Sequence, residues 1–191
     1  MAILCFLLLG LAVMDAETMR LPDAFTWTGI GLGAMYSGVL FGAFQRTPGA
    51  FLLPEPSTFA LMAHGGFLVT SRLPPVLSAA TLSILWALLA ALLILAIRGV
   101  YWLVRQREGM GLGDAKLLAM IAAWLGPAMT LLTLFLGVLA AAVVGIVSIT
   151  VRGRRGAMSM RLPFGSFLCM TAIYAVFAGH PILEWYLRFF Q

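Results

Sequence analysis

Residues 114–151 read DAKLLAMIAAWLGPAMTLLTLFLGVLAAAVVGIVSITV, with charge only at Asp114 and Lys116 and proline only at Gly126-Pro127. The fold turns on whether this stretch crosses a membrane once or folds back at that break. Arg98, Arg105, Arg107 and Lys116 lie at its start, and Arg152, Arg154, Arg155 and Arg161 lie beyond its end. A single crossing would set these two basic clusters on opposite sides. Basic residues gather on the cytoplasmic side of membrane proteins, so the chain is expected to turn at Gly126-Pro127. The part before the break is about 20 Å long as a helix. It is expected to be a short span or an intrusion buried among its neighbours.

The rest of the chain fits that solvent. Of 191 residues, 62% are hydrophobic and 10% charged, with a mean hydropathy of +1.04. A soluble domain carries roughly 25% charged residues, so most of this chain must face lipid. The expected class is all-α: a multi-pass integral membrane protein, a single domain over 1–191. Six apolar segments can be read, roughly 1–20, 25–44, 76–98, 114–126, 128–151 and 164–180. Met1 to Met14 covers only about 21 Å as a helix against a hydrocarbon core of about 30 Å. The first helix is therefore expected to continue to Arg20, before Leu21-Pro22. With Arg20 inside, nine of the twelve basic residues are cytoplasmic, and Arg46, Arg72 and Arg188 fall outside.

Other readings are weaker. The net charge of +5 is spread between apolar runs with no basic patch, so it reads as orientation in the bilayer and not as a nucleic-acid surface. Cys5 and Cys169 sit in apolar runs without CxxC or Cys/His spacing, which reads as two buried thiols and no zinc site. The N-terminus lacks the basic region and small-residue cleavage site of a signal peptide. Residues 45–75, with Pro48, Pro54, Pro56, Pro74 and Pro75, read as an outside connection lying at the interface. His64 within it is more simply an interfacial residue than a ligand.

Two of only seven acidic residues stand where burial is most costly. Asp15 closes the first apolar run, deep and without an evident cap, and Asp114 opens the fourth. The topology puts both at the same face of the membrane and at similar depth. Two carboxylates brought close cannot both ionise cheaply and share one proton. That arrangement suits peptide hydrolysis, where one acid activates water while the other polarises the scissile carbonyl. Gly109, Gly111 and Gly113 permit close backbone approach by an extended substrate. Asp114 at a helix N-terminus, with Lys116 nearby, is favourably placed for a carboxylate. Local pattern alone leaves other roles open. Asp114 could be an ordinary N-cap, Asp15 a snorkelling acid near Arg20, and Asp23 a plain interfacial cap after Pro22.

At these residues the chain resembles the type IV prepilin peptidases, membrane aspartyl proteases of the GxGD type. Six residues separate their first catalytic Asp from a Pro-Asp or Pro-Asn pair, as residues 16–21 separate Asp15 from Pro22-Asp23. Their second ends a Gly-x-Gly-Asp-x-Lys motif, matching Gly111-Leu-Gly-Asp114-Ala-Lys116. The match continues through Leu117-Leu-Ala and Ala123-Trp-Leu-Gly126. Pro163-Phe-Gly165 fits the family's Pro-Phe-Gly-Pro stretch, with Ser166 in place of the final proline.

The resemblance implies a prepilin leader peptidase serving a type IV pilus or type II secretion system. It would remove a short basic leader from prepilin-like or pseudopilin precursors, cutting after a Gly at the cytoplasmic face. Asp15 and Asp114 would be the catalytic pair, with no cofactor or metal. Glu17, Asp23 and Glu108 lie on the same side and could attract the leader, although solvated interfacial acids are the simpler reading. Larger bacterial members carry an N-terminal segment with paired CxxC motifs linked to N-methylation. None occurs here, so the expectation is a compact peptidase without methyltransferase activity. The rival readings are an ion- or proton-coupled transporter, since intramembrane acids also mark ion paths, and an inactive pilin-binding relative.

Overall fold

The structure is a computed structural model, and it describes residues 1–18, 21–46, 74–105, 111–158 and 163–188. The described residues are all-helical: α1 (Ala2–Thr18), α2 (Asp23–Arg46), α3 (Pro75–Arg105), α4 (Leu112–Met158) and α5 (Phe164–Arg188). Two stretches are long and apolar enough to cross a membrane, Val76–Val104 and Leu112–Val151, with Phe164–Gly179 a shorter apolar helix. Large apolar side chains lie open on these helices, among them Phe6, Val104 and Phe177, each more than 70% exposed. A surface of this kind is made for lipid, and the chain is an α-helical membrane protein.

The ends of the elements follow local chemistry. Pro75 occupies the first position of α3, where its missing N–H and fixed φ are no handicap. Pro22 precedes α2 and Pro163 precedes α5 in the same punctuating role. α1 is described to Thr18, and residues 19–20, through which the first helix was expected to continue, lie outside the described residues. So does most of the proline-rich connection, including His64.

The chain divides into two compact units, Met1–Pro22 with Leu131–Gln191, and Asp23–Thr130. In the second unit α2 packs on α3, and the opening turns of α4 complete its core. Every residue from Leu117 to Trp124 is buried. A helix that is apolar all round should be enclosed on every side, and this one is, as expected for the stretch before the break.

The two segments expected on either side of Gly126-Pro127 form one helix, Leu112–Met158, with a local distortion where the turn was expected. Gly126 has φ 76°, a left-handed value outside regular right-handed helix geometry that glycine adopts without penalty. The backbone is distorted there, and α4 continues through Pro127 as one element. Proline has no N–H, so the Ala123 carbonyl loses the partner four residues on. Two other helices supply it: Ser37 of α2 donates to Ala123 O at 3.2 Å and Ser83 of α3 at 2.8 Å. Thr130 Oγ1 donates to the Gly126 carbonyl at 2.6 Å. Side-chain hydroxyls satisfying freed carbonyls are how membrane helices tolerate proline.

Trp124 locks the same region. Its Nε1 donates to Gly29 O at 2.8 Å, and its ring stacks on Tyr36 with centroids 5.0 Å apart. A Cβ at Gly33 would stand 2.7 Å from the indole Cδ1, so glycine is needed for the ring to lie there.

In the first unit α1 packs on α5. Leu4, Leu8, Leu11, Ala12 and Asp15 form the buried stripe of α1, at helical spacing. Gly165, Leu168, Cys169, Ala172, Ala175 and Gly179 are buried on α5. The second part of α4 approaches α5 at Gly137, where a Cβ would meet Thr171 Oγ1 at 3.3 Å. Small residues allow such close approach between membrane helices.

Candidate active site

Asp15 is 6% exposed, on the last full turn of α1. Its environment is made by the start of α5. The N–H groups of a helix's first turn have no partner within the helix, and the third residue of α5, Ser166, turns its N–H onto Asp15. Ser166 N donates to Asp15 Oδ2 at 2.6 Å. The Ser166 hydroxyl lies 3.0 Å from both Asp15 Oδ2 and the Ala12 carbonyl and shares its proton between them. Gly165 lies flat against the carboxylate; a Cβ there would be 2.8 Å from Oδ2. Asp15 is thus neither a snorkelling acid nor uncapped. It is buried and held by backbone and hydroxyl donors that a scan of its own neighbourhood could not reveal.

Asp114 is 8% exposed and is the third residue of α4. It is not the N-cap. Gly111 precedes the helix, and its N–H donates back to Asp114 Oδ2 at 3.3 Å, the reach-back half of a capping box. The carboxylate also lies where the helix dipole favours negative charge. Gly113, half-buried in the same turn, keeps that approach free of side chain.

Lys116 also reaches beyond its own helix. Its Nζ pairs with Asp23 Oδ1 at 2.6 Å, with side chains 33% and 66% exposed. Asp23 opens α2, so this ion pair ties the start of α2 to the start of the helix that carries Asp114. Asp23 is therefore more than a plain cap. Pro22 is half-buried just before it, and Glu17 is exposed on α1. Glu108 and Gly109 lie outside the described residues. Among the described residues no group of three or more His, Cys, Asp or Glu side chains is arranged to hold a metal ion.

Each acid therefore has its own setting: Asp15 with Gly165 and Ser166 in the first unit, Asp114 with Gly111 in the second. Ser166 was visible in the sequence only as a departure from Pro-Phe-Gly-Pro. A helix starting after Pro163, on the side where α1 ends, was the available signal.

Comparison with known proteins identifies relatives of this chain. Residues 49–146 match the type IV leader peptidase family. The prepilin leader peptidase/N-methyltransferase of Aeromonas hydrophila is 31% identical over 191 residues, covering 98% of this chain and 52% of that protein. Its namesake in Legionella pneumophila is 31% identical over 140 residues, 73% of this chain and 47% of that protein. The one in Stutzerimonas stutzeri is 40% identical over 98 residues, half of this chain and 33% of that protein. The chain spans about half the length of the first two. No solved structure matches it.

Proposed function

This chain belongs to the type IV leader peptidase family, and from that premise we propose that it is a membrane aspartyl endopeptidase. Its substrates are type IV prepilin-like or pseudopilin precursors, cut after a Gly at the cytoplasmic face of the inner membrane. Asp15 and Asp114 are the catalytic pair on a single multi-pass domain of six spans. The observation that carries the reading is the burial of both acids, 6% and 8% exposed, each held by a backbone N–H at the start of a helix. Buried carboxylates are costly in a membrane protein and mark function.

In the reaction, the ionised acid takes a proton from water as the water attacks the scissile carbonyl. The protonated acid polarises that carbonyl and stabilises the developing oxyanion. The roles then reverse, and the amine leaves with a proton. Gly111 and Gly113 let the substrate backbone lie beside Asp114. The two cysteines form no CxxC pair, and the proposal is confined to peptide cleavage.

The test is to incubate the purified protein with a panel of prepilins in lipid and sequence the N-termini of the products. A new N-terminus immediately after a Gly, at the head of the hydrophobic helix, is the expected result. No cleavage of any prepilin, or cleavage elsewhere, overturns the proposal.

A further inference from the structure

The contact between α5 and Asp15 goes beyond the pairing of two acids. A lone buried carboxylate can turn about χ1 and χ2, and a catalytic one must hold a single geometry. Here three features of α5 fix it. Ser166 N–H holds Oδ2 at 2.6 Å, and the Ser166 hydroxyl reaches the same oxygen at 3.0 Å. Gly165 closes the face of the group without a side chain. Because the hydroxyl also lies 3.0 Å from the Ala12 carbonyl, Ser166 ties the carboxylate to the backbone of its own helix one turn earlier. Among the described residues, the donors converge on one oxygen. Oδ2 is the anchored atom, which leaves Oδ1 as the one to meet water or substrate.

The resembling stretch carries proline where Ser166 stands, and proline has neither an N–H nor a hydroxyl to offer. We infer that Ser166 is a positioning residue for Asp15: its paired N–H and O–H anchor Oδ2 and orient Oδ1 for the proton transfers of cleavage. The inference rests on the peptidase reading and deepens it.

The test uses the full-length chain in lipid, with Ser166→Ala and Ser166→Thr beside wild type. Removing the hydroxyl lowers kcat by about tenfold and leaves KM within about twofold, because the substrate itself is not touched. Ser166→Thr keeps both donors and restores kcat. An Ala variant with wild-type kcat, a deficit that Thr does not repair, or a loss confined to KM each overturns the inference. A second readout does not depend on turnover. With only seven acidic residues in the chain, the infrared carboxylate band of Asp15 can be isolated by subtracting the Asp15→Asn spectrum. That band shifts in Ser166→Ala and returns in Ser166→Thr; an unmoved band removes the anchor whatever the kinetics show. If wild type cleaves no prepilin, the peptidase reading falls and the positioning role falls with it, while the band still reports the contact.

Discussion

Gly165→Ala is the sharpest perturbation the site offers, because it adds one methyl group and removes no donor. The new Cβ would stand 2.8 Å from Asp15 Oδ2, 3.0 Å from Cγ and 3.2 Å from Oδ1, where ordinary contact begins at 3.4 Å. The carboxylate must retreat by about half an ångström or α5 must back away, and overpacking of this kind costs about 1–3 kcal/mol. Either movement stretches the 2.6 Å bond from Ser166 N toward the weak end of the hydrogen-bond range, and a bond to a charged group contributes about 1.5–3 kcal/mol. Alanine returns about 0.5–1 kcal/mol through helix propensity. The net expectation is a loss of about 1–3 kcal/mol in stability. The effect on catalysis is larger, because misplacing a reacting group by about 1 Å can cost about 100-fold. Initial rates of leader removal, with thermal melting of the same preparations, measure both. Gly10→Ala is the control: it lies on the same helix as Asp15 with no atom within 4 Å of its Cβ position. It should cleave normally and melt no lower than wild type. Gly165→Ala turning over at the wild-type rate would refute the claim that Asp15 is held tightly against α5.

Three further expectations concern the other unit. Gly33→Ala drives a Cβ to 2.7 Å from the Trp124 ring. It should cost about 2–4 kcal/mol through overpacking and loss of the bond to Gly29, with a shift in tryptophan fluorescence; an unchanged melt and spectrum would contradict the described packing. Ser37→Ala and Ser83→Ala should each cost about 1 kcal/mol or less, since the other serine still serves the Ala123 carbonyl. The double variant should cost more than the sum, adding about 1–3 kcal/mol for an unpaired buried carbonyl, and strict additivity in detergent unfolding would refute the shared acceptor. The Lys116–Asp23 pair is largely exposed, so Lys116→Ala should cost no more than about 1 kcal/mol and lose its effect in high salt. A large, salt-independent loss would show that this ion pair matters more than its exposure allows.

How far the sequence could be read depended on the kind of information each feature needs. The helices were legible because lipid-facing segments must be long apolar runs, and the distortion in α4 because Gly126-Pro127 pairs the residue that accepts positive φ with the one that lacks an N–H; the expected separation into two helices there was not found. The buried face of α1 was not legible. Leu4, Leu8 and Leu11 are buried while Phe6, Leu9 and Val13 are exposed, and all are apolar because lipid and protein interior make the same demand. The two acids stood out because charge is rare in this chain. Their partners did not, since Ser166 follows Asp15 by 151 residues and nothing in either neighbourhood points to the other. The Lys116–Asp23 pair was illegible for the same reason, since 93 residues separate its members.

The central claim is that Asp15 and Asp114 act as one catalytic unit. The measurement is the rate of prepilin cleavage by Asp15→Asn, Asp114→Asn and the double variant, each matched to wild type for expression and melting. Groups that act as a unit show strongly non-additive losses. Each single variant should therefore fall to background, and the double variant should fall no further. Cleavage that survives in either single variant, or losses that simply multiply in the double, would contradict the pair.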